Sequence, residues 1–398
     1  MKKIIIPLWG ISAITLLLYS FTQVDLSLTL SRVSIYQTIE KAFQYVGWFN
    51  RPLSTYLYLL ILGAMFTLYG ITLNLARKKA IELKTLWKII IFLSVILFFA
   101  YNAFSYDIFN YIFDAKIITH YHANPYLHKA LDYPGDPMLS FMRWTHRTYP
   151  YGPFWLVLTV PLSFIGLGYF LLTFYLFKLL MVLSFVGSCF LIARISKKLN
   201  IDPVHSVAAF ALNPLVLIES LVSAHNDIVM MFFGLLGVYL LVEKKMVNSS
   251  LSLIFSVGIK FATGLLFPVF IYKIFQNKSK DNFFYFSVIL MVAAVVFATI
   301  RSGLNFNPFG VNYQNVQFQP WYLLYVLPFA AFVQRKFFIM IPVFIISLFS
   351  LFQYVPFLYL GNWNPPVPTI LAYLLYISIA LSAVSVAIYA FAKPTKVE

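Results

Sequence analysis

Asp107 and Asp114 stand seven residues apart in the run Ser105-Tyr106-Asp107-Ile108-Phe109-Asn110-Tyr111-Ile112-Phe113-Asp114-Ala115-Lys116. On a helix that spacing is two turns, which puts both carboxylates on one face. Aromatic residues fill the positions between, as in a helix lying in a headgroup layer. A carboxylate at the mouth of a membrane cavity can act as a general base towards a hydroxyl. A second reading of the same residues is structural: Asp107 caps the helix, and Asp114 pairs with Lys116 or solvent.

Downstream, His120, His122, Asn124-Pro125-Tyr126 and His128 crowd together. Close histidines invite a metal site, but there is no HExxH pattern and no cysteine partner, so no metal is assigned. Asn124-Pro125 also reads as a turn. Arg143, Trp144, His146, Arg147, Tyr149 and Tyr151 make a basic, aromatic stretch able to grip a phosphate and stack on sugar rings, or equally to form an interface belt. Further on, Asn213-Pro214-Leu215 leads to Glu219 and then to His225-Asn226-Asp227. An ionisable group inside an apolar helix is expensive unless it faces a partner or water, so Glu219 marks a site. The same argument holds for Lys260 in mid-span. Arg301 at a helix end is either part of the site or a snorkelling anchor. Gln317-Phe318-Gln319-Pro320-Trp321-Tyr322 opens another helix at the interface, with Pro320 in its usual starting position.

These residues need a membrane to hold them. Of the 398 residues 61% are hydrophobic and 11% charged, unlike an ordinary water-soluble domain. Apolar runs at 4–22, 53–75, 86–105, 153–193, 204–222, 226–242, 249–275, 283–300, 319–334, 337–357 and 369–391 recur along the chain, most of them long enough for a bilayer core of about 30 Å. The reading is an all-α, polytopic transmembrane bundle of about ten to thirteen helices with external surface helices and almost no sheet, a single membrane domain over 1–398. The runs 153–193 and 249–275 do not fit simple crossings. The second is broken near Gly258-Ile259-Lys260, and both read as re-entrant pieces covered by protein.

The net charge of +16 does not indicate nucleic acid. Its lysines and arginines gather in short segments, at Lys2-Lys3, Arg77-Lys78-Lys79, 194–198, Lys244-Lys245, 273–280, Arg335-Lys336 and 393–396, which is the positive-inside pattern of cytoplasmic loops. The apolar stretch from Ile4 to Tyr19 is expected to be a retained first helix, and Cys189, the single cysteine, excludes a disulfide framework. Segments 106–152, 223–227, 301–322 and 356–368 then share the non-cytoplasmic side.

In order and spacing, the Asp107 segment, Asn124-Pro125-Tyr126, Tyr149-Pro150-Tyr151-Gly152-Pro153, Asn213-Pro214-Leu215 with Glu219 and His225-Asn226-Asp227, Lys260 and Gln319-Pro320-Trp321-Tyr322 resemble the GT-C superfamily of polyprenyl-phosphate-sugar-dependent glycosyltransferases. The similarity is closest to bacterial polyprenyl-phosphate-mannose-dependent mannosyltransferases, and extends distantly to the catalytic subunit of GPI mannosyltransferase I. It covers about 101–325. The resemblance implies an inverting transfer of a sugar, mannose by analogy, from a polyprenyl-phosphate donor to a lipid or glycan acceptor. It places the reaction on the outer face of a bacterial cell membrane, with 106–152 as the catalytic loop.

By the same resemblance Asp107 is the base. The substrate-binding positions are Asp114, Asn124, Tyr126, Tyr151, Glu219, His225, Asn226, Asp227, Trp321 and Tyr322, with Glu219, His225 and Asp227 binding sugar hydroxyls or orienting the base. Arg143, Arg147, Lys260 and Arg301 would meet the donor phosphate. The paired Asp-x-Asp of the eukaryotic relatives is absent, since Ile108-Phe109 follow Asp107, and no cofactor is implied. A transporter or flippase of lipid-linked substrates is the rival reading, because broken helices with buried charges suit one. Against it stand the one-sided polar residues and the lack of an internal repeat.

Overall fold

The computed structural model describes residues 2–275, 280–307, 310–313 and 318–392. The side chains of Arg301 and of the basic run 273–280, together with Gln317 and residues 393–398, lie outside the described part.

The chain is an all-α bundle. Helix α1 (Lys2–Thr22) is followed by the surface helix α2 (Ser34–Gln44), and then by α3 (Arg51–Arg77) and α4 (Leu83–Phe98). Next come α5 (Asp107–Thr119), α6 (Pro153–Ile165), α7 (Phe170–Lys198) and α8 (Pro203–Ala211). A short α9 (Pro214–Leu217) runs into a π-helical turn at Ile218–Val222 and is followed by α10 (Asp227–Val242) and α11 (Met246–Ile259). After a 3-10 segment at Phe261–Leu266 come α12 (Phe267–Phe275) and α13 (Lys280–Gly303). The last helices are α14 (Leu327–Val333), α15 (Phe337–Phe352), α16 (Val355–Leu360) and α17 (Val367–Ala392). Among the described residues the sheet is one antiparallel hairpin, β1 (Leu304–Asn307) with β2 (Gly310–Tyr313).

Six described helices are long and apolar enough to cross a membrane, and seven if the pair 203–211 and 214–222, bent by 57°, counts as one span. The expected ten to thirteen includes shorter apolar pieces such as α6, α10 and α11. The run 153–193 resolves into two helices of unequal length. At 1.5 Å per residue α6 is about 20 Å long and cannot cross, whereas α7 reaches about 43 Å. The turn between them carries Leu167 and Gly168 at positive φ. The bend at 213 has a local cause. The Asn213 side chain accepts from Leu215 N at 3.0 Å and Pro214 occupies the first helical position, so a new helix starts where α8 stops. Asn213 also donates to Ser347 Oγ at 2.9 Å, fixing the bend against α15.

Helices α10 and α11 are joined by a polar seam. Ser249, Ser252 and Ser256 share one face of α11, and their hydroxyls donate to the carbonyls of Gly237, Phe233 and Met230 at 2.7, 2.8 and 2.6 Å. Small hydroxyl residues let the helices approach closely in an apolar medium. The antiparallel pairing places the start of α10 beside the end of α11. There the chain breaks: Lys260 is extended, with φ −154° and ψ 132°. This is the interruption expected near Gly258-Ile259-Lys260.

The segment 120–152 folds back on itself, with Tyr149 N donating to Pro125 O at 3.0 Å and Leu131 N to Thr145 O at 3.2 Å. It then docks onto the break. Gly152 N donates to Ile259 O at 3.1 Å, and a Cβ at Gly152 would run into the Gly258 carbonyl, so only glycine permits this approach.

Candidate active site

Ser105 Oγ accepts from Asp107 N at 3.1 Å and so supports the first turn of α5, which leaves the Asp107 carboxylate free for other contacts. Its Oδ2 accepts from the Tyr111 hydroxyl at 3.5 Å and lies 3.7 Å from His225 Nε2; its Oδ1 is 4.0 Å from Arg147 Nη2. The Asp107 side chain is 10% exposed, at the edge of the protein interior. The capping role considered for Asp107 is therefore not the one the geometry shows.

His225 is fully buried, and its ring stacks on Trp321 at 4.1 Å with 23° between planes. Its Nδ1 faces Glu219 Oε2 at 3.0 Å, a close contact without hydrogen-bond alignment. Glu219 Oε1 accepts from the Tyr354 hydroxyl at 2.9 Å. A line thus runs Tyr354–Glu219–His225–Asp107, drawn from three separate stretches of chain. Local backbone makes it possible. The π-helical turn carries Glu219, Ser223 N closes on Ile218 O at 2.8 Å, and Ala224 at φ +57° reverses the chain so that His225 N reaches Glu219 O at 3.0 Å. Both π-helical turns and left-handed non-glycine residues gather at functional sites.

Beside this line Lys260 Nζ bonds Asp227 Oδ1 at 2.7 Å, with the rings of Tyr151, Tyr322 and Tyr325 about it at 6.0, 6.0 and 5.9 Å. The Lys260 side chain is 22% exposed and Asp227 is fully buried. Among the described residues both side-chain polar atoms of the buried Asn226 make no hydrogen bond. Asp114 is half-buried on α5. Burial pushes its carboxyl up to about 7, with Arg147 opposing and Asp107 adding to the shift.

Other expected positions are held elsewhere. Asn124 is exposed and its Oδ1 accepts from Tyr126 N at 3.0 Å, the turn reading; the Tyr126 hydroxyl donates to Tyr151 O at 3.1 Å. These two shape the segment rather than join the cluster. Arg143 is engaged by Asp25 at 3.4 Å and lies over the Tyr106 ring at 4.9 Å. Lys116 pairs with Asp136 rather than Asp114. For Asp136, burial acts upward but the Lys116 ammonium, Met138 N and the Tyr121 hydroxyl outweigh it, holding the carboxyl below its ordinary value. Arg301 falls in the last turns of α13, and its side chain is outside the described residues. His128 meets Asp132 at 3.5 Å and His120 packs edge-on against Tyr121.

Three residues of this neighbourhood were not singled out in the sequence. Asp25 is buried and receives the Tyr106 hydroxyl at 3.0 Å. Tyr354, at the start of α16, reads in sequence as one aromatic among many. Lys178 is fully buried in α7 and donates to the carbonyls of Leu221 and Val222. A lysine within an apolar run was signal enough for it.

A cavity of about 540 Å³ lies among Lys79, Glu82, Asn200, Asp202 and Arg335, near the C-terminal end of α7. Phe170, at the other end of α7, packs on Phe109 of α5, so this cavity is remote from Asp107.

The comparisons with known proteins bear on this cluster. The family described as "Alpha-(1->6)-mannopyranosyltransferase, N-terminal domain" matches residues 15–276. The chain belongs to this alpha-(1->6)-mannopyranosyltransferase family. No curated protein and no solved structure matches it. The matched stretch of this mannosyltransferase contains Asp107, Asp114, Arg147, Glu219, the 225–227 turn and Lys260. It ends before Trp321 and Tyr354, which complete the cluster from the remainder of the chain. The protein is thus a membrane-embedded glycosyltransferase, as its sequence resemblance implies.

Proposed function

We propose that the enzyme transfers mannose from a polyprenyl-phosphate donor to a hydroxyl of a lipid or glycan acceptor, with inversion, on the non-cytoplasmic face of the membrane. The observation that carries this reading is the Asp107 carboxylate, set at the edge of the interior among Tyr111, His225 and Arg147. Residues 106–152 would form the catalytic loop within a single membrane domain.

In the proposed step Asp107 accepts the proton of the acceptor hydroxyl as that oxygen bonds the anomeric carbon from the face opposite the phosphate. The bond from the anomeric carbon to the phosphate oxygen breaks, and its electron pair leaves with the polyprenyl phosphate. No acid is needed for this leaving group, whose developing charge requires cations. Arg147, partly exposed beside Asp107, and Lys260, at the helix break, are placed for that role. Tyr151, Tyr322 and Trp321 supply ring faces for sugar, and the Asn226 side-chain amide, which makes no hydrogen bond among the described residues, supplies polar atoms for its hydroxyls. Arg143, tied to Asp25, is assigned to holding the loop.

The test uses the purified full chain, radiolabelled polyprenyl-phosphate mannose as donor and octyl α-mannoside as acceptor. Wild type is expected to give labelled, inverted product, and Asp107→Asn to lose at least about a hundredfold in kcat at unchanged expression. Equal rates in the two proteins would remove Asp107 as the base. Label crossing proteoliposome membranes without any product would favour the transporter reading.

A further inference from the structure

We propose that Tyr354 and Lys178 are positioning residues that clamp the π-helical turn from two sides and hold the Glu219–His225 pair against Asp107. This rests on the reading of Asp107 as base and adds to it a buried support that the sequence motifs do not contain. Glu219 is completely buried, and its hydrogen bond from protein comes from the Tyr354 hydroxyl at 2.9 Å. A buried carboxylate with so few donors would turn toward whatever donor it can find; the Tyr354 bond fixes one oxygen and leaves the other 3.0 Å from His225 Nδ1. The ring is then confined by its stack on Trp321, which keeps Nε2 directed at Asp107.

Lys178 acts on the other side. Its ammonium is enclosed in α7, and it donates to the carbonyls of Leu221 and Val222, the last two residues of the π-helical turn. Carbonyls at a helix end lack intrahelical donors, and here a lysine from a neighbouring helix supplies them. A buried ammonium is costly, and what this one holds is the backbone that bears Glu219 and leads into His225. The charged or titratable groups near Glu219 are Tyr354, Tyr58 from α3, His225 and, beyond it, Asp107.

The experiment measures kcat and donor KM separately for Tyr354→Phe, Glu219→Gln, their double variant and Lys178→Met, on purified full-length protein with the donor and acceptor above. Tyr354→Phe keeps the ring and removes the hydroxyl that fixes Glu219 Oε1. The expected result for each single variant is a kcat lower by about tenfold at unchanged donor KM. Because Tyr354 acts through Glu219, the double variant is expected to be no slower than the slower of its two single variants. A Tyr354→Phe enzyme with the wild-type kcat, or losses that multiply in the double variant, overturns the proposal. So does a Glu219→Gln enzyme that keeps the wild-type kcat, which covers the case of a Tyr354→Phe protein that does not fold, and a Lys178→Met enzyme with the wild-type kcat removes Lys178 from the clamp. Asp107→Asn run in parallel separates the two ideas: full activity there refutes the base, whatever the other variants do.

Discussion

Asp114 lies two turns beyond Asp107 on the same face of α5. Its carboxyl stands at about 7 against an ordinary 3.8, raised by burial and lowered in part by Arg147. A carboxyl raised in the fold stabilises the protein fully below its unfolded value, and that contribution is lost as pH rises through the folded value. The Asp114 contribution to thermal stability is therefore expected to be lost between pH 3.8 and about 7, and Asp114→Asn, which has nothing to ionise, to lack that part of the slope. Melting curves of both proteins across this window check it; parallel curves refute it. At this scale the sequence showed the charged residues that stand against an apolar background: Asp107, Glu219, Asp227 and Lys260 all fall in the cluster. It did not show partners. Arg143 and Arg147, four residues apart, looked equivalent, yet Asp25 engages one and Asp107 faces the other. A contact across more than a hundred residues has no local signature, and this also hid Tyr354.

The elements deliver these residues through polar bonds within apolar surroundings. Asn213-Pro214 drew attention as a candidate motif, and its work is to cap and bend a helix. The three serines of α11 drew none, because serine is common in membrane helices, and only the i, i+3, i+7 spacing marks them as one face. They set the register that brings Asp227 to Lys260. Removing two of them, Ser252→Ala with Ser256→Ala, is expected to lower stability by about 1 kcal/mol, since an interhelical hydrogen bond in a membrane protein averages about 0.6 kcal/mol. Denaturant titration in detergent measures this, and a double variant as stable as wild type would show that the seam is incidental. The break at Lys260 was legible because a lysine and nearby glycines interrupt an apolar run. The unequal lengths of α6 and α7 were not, since the run 153–193 is apolar throughout and the turn at Gly166–Tyr169 carries no charge to mark it.

Among the described residues the short basic loops and the Asp107 cluster lie at opposite ends of α7. Lys198 at the end of α7 meets Glu243 after α10 at 2.9 Å, and the remote cavity gathers Lys79, Asn200 and Arg335 at the same end. Asp107, the 225–227 turn, Trp321 and Tyr354 converge at the other. Basic loops stay on the cytoplasmic side during insertion, so the cluster is expected to face outward. Cys189 is completely buried, which gives a quiet background for cysteine labelling in intact cells. Leu131→Cys, at a site 49% exposed within the segment 120–152, is expected to react with a membrane-impermeant maleimide added outside. Val247→Cys, 73% exposed and adjoining Lys244-Lys245, is expected to react only after permeabilisation. The reverse labelling pattern would place the cluster in the cytoplasm and leave the basic loops as the outer surface, against the charge rule on which the orientation rests.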